Sequence, residues 1–318
     1  MSAIAQAFTR ILPPHPAERD KSGLAGGSGR QQGVGGFIPY ITAGDPDLAT
    51  TYEILLALGR AGATVIELGF PFSDPMADGP VIQRACMRAL KNCITIDDVL
   101  AVTREAKSKI GSPVVLFSYV NPVLQYGFER LIASAGENGI SGLLLTDLPA
   151  DNGARLAAFA RRYEVDLITL AAPTCTDERL KTICAHASGF IYAVSRTGVT
   201  GTRRQLGEDA RALVERIRRC TPLPVALGFG VSNREQAREV LTFADAVVVG
   251  SAIVHEIEKN LGGNDLVAKV ERLAREFAET GGDIALDAAA KPAISPLSTP
   301  ASANAALAGD PWAVKETH

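Results

Sequence analysis

Histidine is scarce in this chain, and what there is stands in unpromising places. Only His15, His186, His255 and His318 occur. Two fall in stretches without regular patterning and two in helical stretches, so a histidine-based metal centre is not expected. Nine lysines are present. None falls at the carboxyl end of a candidate strand, which disfavours Schiff-base chemistry. The five cysteines are odd in number, scattered and form no CxxC pair. They read as reduced thiols, not as a disulfide frame or a zinc site. No apolar run approaches the ~20 residues of a membrane span, and the first twelve residues lack a signal-peptide layout. A net charge of −3 lacks the concentrated basic surface that nucleic-acid binding needs. The densest basic cluster, around Arg203, Arg204, Arg211, Arg216, Arg218 and Arg219, is interrupted by Glu208, Asp209 and Glu215 and reads as a solvated helix face. These absences predict a cytoplasmic protein and argue against a nucleic-acid role.

What is present is a long, regular middle. The chain has 318 residues, 47% of them apolar, which is enough for a large core. Residues 1–12 carry Ile4, Phe8, Ile11 and Leu12 at the spacing of one short amphipathic helix. Residues 13–35 include GLAGGSGRQQGVGG and predict a flexible linker. Residues 283–318 are rich in Ala, Pro and Ser and predict a low-complexity, mostly disordered tail.

Between them, residues 36–282 alternate short β-branched runs with helix-period stretches. The strand candidates are GFIPYIT, TVIELGF, SPVVLFSYV, ISGLLLTDL, VDLITLAAP, GFIYAVS, PLPVALGF and ADAVVVGS. Continuous apolar runs of this kind suit strands buried on both faces. Eight such units in a row predict an α/β fold, a single (β/α)8 TIM barrel. The competing fold is a doubly wound open sheet, but no GxGxxG follows the first strand.

Alternate side chains of a barrel strand point inward. In TVIELG, Ile66 and Leu68 suit the layer facing the helices, which turns Glu67 into the barrel near the mouth. An inward carboxylate is costly unless it is used or paired. The bland alternative is a salt bridge to a neighbouring strand, yet no Lys or Arg lies near the ends of the first five strands. The following loop, PFSDPMADGP, carries Asp78. This acid either swings over the mouth opposite Glu67 or caps the helix that starts near Val81.

Barrels often hold a phosphate on the loops after strands seven and eight. Here those loops read LGFGVS (227–232) and VGSA (249–252), and the sixth strand ends in SRTGVTG (195–201). Their glycines let backbone N–H groups approach an anion, and the helix after Gly250-Ser251 aims its positive end at it. Ordinary tight turns are the alternative. With neither lysine nor histidine at a strand end, any C–C bond cleavage here requires the substrate to supply its own electron sink.

The motifs PYITAGDPD (39–47), ELGFPFSDPMADGPVIQ (67–83), SYVNPVLQYG (118–127), TDLPA (146–150), SRTGVTG (195–201), GFGVSN (228–233) and GSAIV (250–254) span the whole barrel. Together they closely resemble the α subunits of tryptophan synthase. That resemblance implies retro-aldol cleavage of indole-3-glycerol phosphate to indole and glyceraldehyde 3-phosphate, a lyase reaction. It implies Glu67 as the acid–base residue and Asp78 as the partner of the indole N–H. The implied pocket is Phe37, Leu116, Leu144, Tyr192 and Thr200, although plain barrel core also explains its apolar members. The implied phosphate contacts are Gly201, Phe229, Gly230, Gly250 and Ser251.

The resemblance further implies an α2β2 heterotetramer in which indole passes to a β subunit. Pyridoxal phosphate then belongs to the β subunit, with no cofactor in this chain, and the segments 71–80 and 121–127 face the partner. A stand-alone indole-3-glycerol-phosphate lyase and a non-catalytic phosphate-binding regulator are the competing functions. The linker and the tail depart from the family pattern but lie outside the matched motifs.

Overall fold

The computed structural model describes residues 1–12, 35–149, 153–194, 203–228 and 230–290, without side chains at 203–206 and 282–290. Eight parallel strands close into a barrel in sequence order. They are β1 (Gly36–Thr42), β2 (Ile66–Gly69), β3 (Val114–Ser118), β4 (Ile140–Leu145), β5 (Asp166–Ala171), β6 (Ile191–Val194), β7 (Val225–Gly228) and β8 (Ala246–Val249). Each lies within a predicted run. Closure is direct, with Gly36 opposite Ala246 and Pro39 opposite Val249.

Twelve helices are found among the described residues. Those that matter for the site are α1 (Ala3–Ile11), α2 (Leu48–Arg60), α3 (Pro80–Leu90), α5 (Val120–Tyr126), α11 (Ser251–Lys259) and α12 (Leu266–Ala290). Local chemistry sets their ends. The Asp47 carboxylate accepts from the Thr50 N–H at 2.7 Å and starts α2. Pro80 opens α3, where its missing N–H costs nothing. The helix α12 runs on to Ala290, past the boundary drawn at Gly282, because DIALDAAA holds strong helix formers and no proline. Residues 13–34 of the predicted linker and 291–318 of the predicted tail lie outside the described residues.

Side-chain alternation builds two cores. One is the barrel interior, with Ile38, Tyr40, Val65, Val115, Phe117, Leu144, Ile168 and Tyr192. The other is the layer between strands and helices, with Ile41, Ile66, Leu68, Leu116 and most helical apolar residues. The amphipathic start forms α1, capped where the Ala5 N–H donates to the Ser2 hydroxyl at 3.2 Å. Ile4 and Phe8 join the interior core from below, and Phe8 meets Phe190 with ring centroids 5.7 Å apart. A glycine makes room for this plug, since a Cβ on Gly142 would stand 2.8 Å from Ile4 Cδ1.

Candidate active site

Glu67 points into the barrel, as its position on β2 predicts. Its strand neighbours are Tyr40 on β1 and Val115 on β3, both interior residues. It is 0% exposed. Neither carboxyl oxygen has a hydrogen-bond partner among the described residues, so the salt-bridge alternative fails. Burial alone pushes its pKa up to about 8. At neutral pH Glu67 is therefore mostly the neutral acid, because nothing beside it rewards the charge.

Asp78 lies on the loop between β2 and α3. It does not cap α3: the N-cap is Gly79, without a side-chain cap bond. Instead its carboxylate accepts from the Tyr119 hydroxyl at 3.1 Å. The same hydroxyl accepts from the Ala77 N–H at 3.0 Å. The Tyr119 ring rests on Phe72, centroids 5.1 Å apart. Tyr119, just past the end of β3, thus pins the loop at three points. Burial raises the Asp78 pKa to about 6, against the lowering effect of the Tyr119 bond.

Of the pocket residues the resemblance implied, Leu144 and Tyr192 line the interior. Phe37 and Leu116 do not. Phe37 lies in the outer layer and stacks on Phe277 of α12 at 5.9 Å, and Leu116 is packed there too. Interior positions on those strands belong to Tyr40 and Phe117, which meet edge to face at 5.2 Å. A one-residue shift along a strand exchanges inside for outside, and both assignments carry that shift. Strand pairing carries the same alternation, with Tyr40 opposite Glu67 and Phe117 opposite Leu144.

Two tyrosines furnish the interior. The Tyr40 hydroxyl lies where a Cβ on Gly69 would have to go, and the Tyr192 hydroxyl lies likewise over Gly228. Glycine at the ends of β2 and β7 is what admits these rings. Burial raises both phenol pKa values well above the usual one, and charge on Glu67 and Asp78 adds to it.

At the other side of the mouth, Gly250 is the N-cap of α11 and Ser251 its first residue, with no side-chain cap bond. Its first N–H groups are thus left for an anion. Gly230 follows β7 with φ +84°, a conformation open to glycine and strained for other residues. Gly250 also faces the site, as a Cβ on it would stand 3.6 Å from Tyr40 Cβ. Thr200, Gly201 and Phe229 lie outside the described residues. Among the described residues no group of three or more His, Cys, Asp or Glu side chains could hold a metal ion.

A buried neutral acid and a second, mostly ionised one, both acting on Tyr40 and Tyr192 at the mouth of the barrel, are the layout of a TIM-barrel enzyme that works by proton transfer. Comparison with known proteins narrows this class. Residues 28–281 match the family model described as tryptophan synthase alpha chain. The tryptophan synthase alpha chain of Synechococcus elongatus is 48% identical over 231 residues, 72% of this chain and 87% of the relative. The crystal structure of tryptophan synthase subunit alpha from Legionella pneumophila superposes with TM-score 0.75 at 32% identity, over 89% of this chain and 99% of that one. A chain from the tryptophan synthase a2b2 complex of Pyrococcus furiosus gives TM-score 0.70 at 38% identity, over 77% and 98%. The chain belongs to the tryptophan synthase alpha chain family. Its reaction is the lyase step that cleaves indole-3-glycerol phosphate.

Proposed function

We propose that Glu67 is the acid–base residue of this cleavage and Asp78 the residue that holds the indole N–H. The carrying observation is the unpartnered, fully buried Glu67 carboxyl. As the neutral acid, Glu67 donates its proton to the indole ring carbon that bears the glycerol phosphate chain. The ring becomes a cationic indolenine. Asp78, ionised above about pH 6, accepts the indole N–H and balances that charge. The carboxylate left on Glu67 then takes the proton of the adjacent side-chain hydroxyl. The C–C bond breaks, its electron pair returns to the ring, and indole and glyceraldehyde 3-phosphate leave. Glu67 ends protonated, ready for the next turn. Leu144, Tyr192, Tyr40 and Phe117 enclose the ring, and the start of α11 with Gly230 receives the phosphate.

The same reading places the chain in the cytoplasm, in an α2β2 complex with a pyridoxal phosphate-carrying β subunit and no cofactor of its own. Met76 at 93% exposure and Leu124 at 63% support the partner surface. They stand on the two segments, 71–80 and 121–127, whose motifs match the partner-facing loops, and exposed apolar side chains suit an interface. Among the described residues no helix is long and apolar enough to cross a membrane.

Indole release by a Glu67→Gln variant tests the catalytic assignment. Loss of the acid–base group lowers kcat by about 10³-fold; a normal rate sinks it. Adding a β subunit raises the rate of the wild-type chain. High turnover unchanged by that addition favours the stand-alone lyase.

A further inference from the structure

The helices that start at the two halves of the site are joined at both ends. At the mouth, Ile82 in the first turn of α3 packs against the start of α11: a Cβ on Gly250 would stand 3.5 Å from Ile82 Cδ1. At the far end, Glu258 in the last turn of α11 collects arginines from α3. Arg84 donates to it twice, at 2.7 and 2.7 Å. Arg88 donates to it through Nη1 at 2.8 Å. The other edge of the Arg88 guanidinium grips Asp45 through Nε at 2.7 Å and Nη2 at 2.8 Å. Asp45 is buried in the loop after β1. One side chain thus spans three elements: the β1–α2 loop, α3 and α11.

We propose that Arg88, held between Asp45 and Glu258, is a positioning residue that sets the helix behind Asp78 against the helix that binds the phosphate. This rests on the site reading above. Asp78 immediately precedes Gly79, the N-cap of α3, so any tilt of α3 moves the Asp78 carboxyl. Phosphate at the start of α11 fixes that helix from the mouth. Through Glu258 and Arg88 the constraint passes to α3, and Asp78 is held where the indole N–H arrives. Only arginine can do this. Its planar fork meets Asp45 in two parallel bonds and still has a third donor for Glu258, whereas a lysine ammonium is a point charge without that geometry.

The substrate itself separates this role from a merely structural one. The full chain is assayed on indole-3-glycerol phosphate and on the same molecule without its phosphate. In the wild type the phosphate raises kcat as well as lowering KM. In Arg88→Lys we expect kcat on the phosphorylated substrate to fall by up to about 10²-fold, the loss that misplacement by about 1 Å can bring. Its KM changes little, and the rate on the phosphate-free substrate stays near wild type. Glu258→Gln, which leaves the Asp45 grip intact, shows the same pattern more weakly and covers the case that Arg88→Lys folds poorly. Arg60→Ala, which breaks the separate Arg60–Glu271 pair at 2.6 Å, leaves both substrates unchanged. Equal losses on both substrates, or no loss in either variant, overturn the proposal. If the phosphate leaves the wild-type kcat and KM unaltered, the phosphate site at α11 is itself wrong.

Discussion

Each end of the barrel buries a carboxyl group, and the two ends treat it differently. At the closed bottom, burial raises the pKa of Asp166, but the Ser2 and Ser188 hydroxyls and the N-terminal ammonium pull it back. Around it, α1, Phe8 and Phe190 form a packed plug. At the mouth, Glu67 is buried more deeply, 0% exposed against 7% for Asp166, with nothing to pull it back. The difference teaches where stability has been given up. The bottom end is compensated only in part, since Asp166 Oδ2 has no hydrogen-bond partner among the described residues, and it serves the fold. The mouth end carries an uncompensated acid, a cost that only the chemistry explains.

The largest effect that tests this contrast is on stability against pH. Glu67 titrates at about 8 in the folded chain and at about 4.3 when unfolded. Between those values the folded state holds a proton that the unfolded state has lost. Stability is therefore full below about pH 4.3 and falls as pH rises to about 8, by an amount on the order of several kcal/mol. Denaturant titrations at pH 4.5 and pH 8.5 should show the Glu67→Gln variant gaining on the wild type across that window. Equal midpoints at both pH values would mean that Glu67 is compensated after all, and the contrast between the ends would vanish.

Next comes the plug. Phe8→Ala should cost about 3–5 kcal/mol of unfolding free energy, read by chemical denaturation, while kcat of the folded fraction stays close to normal. A fall in kcat without a fall in stability would tie the bottom to the chemistry.

The smallest effect concerns the pinned loop. Tyr119→Phe removes the hydroxyl that donates to Asp78 and accepts from Ala77. Losing one charge-assisted bond is worth about 1.5–3 kcal/mol, or roughly ten- to a hundredfold in kcat, if it acts wholly in the transition state. The lower limb of the pH–rate profile, set by Asp78 near 6, should also move upward once the lowering bond is gone. An unmoved limb with unchanged kcat would show that Asp78 needs no anchor.

Much of this was legible in the sequence, for physical reasons that also mark the boundary. The eight strands declared themselves because parallel strands buried on both faces must be apolar throughout. Glu67 was legible because period-two alternation is strict, and one charged residue in an apolar run has only one face to occupy. The same rule puts Phe37 and Leu116 in the outer layer and turns Ile38, Tyr40 and Phe117 inward; motif resemblance carries no alternation. Asp78 was ambiguous because its partner Tyr119 is 41 residues away. The Arg88 clasp was invisible, since its two acids stand 43 and 170 residues from it. Local patterns predict faces and caps, whereas partners across the fold require the fold.

The direct pairing of β1 with β8 also bears on how the chain is made. The first strand leaves the ribosome early, yet one of its edges has no mate until residues 246–249 emerge. For most of synthesis the growing sheet carries two open edges, whose bare N–H and C=O groups can pair with another chain. Contacts this distant in sequence form slowly. The nascent barrel is therefore most exposed to aggregation just before its last strand arrives, and a chain that stops short of β8 keeps both edges open.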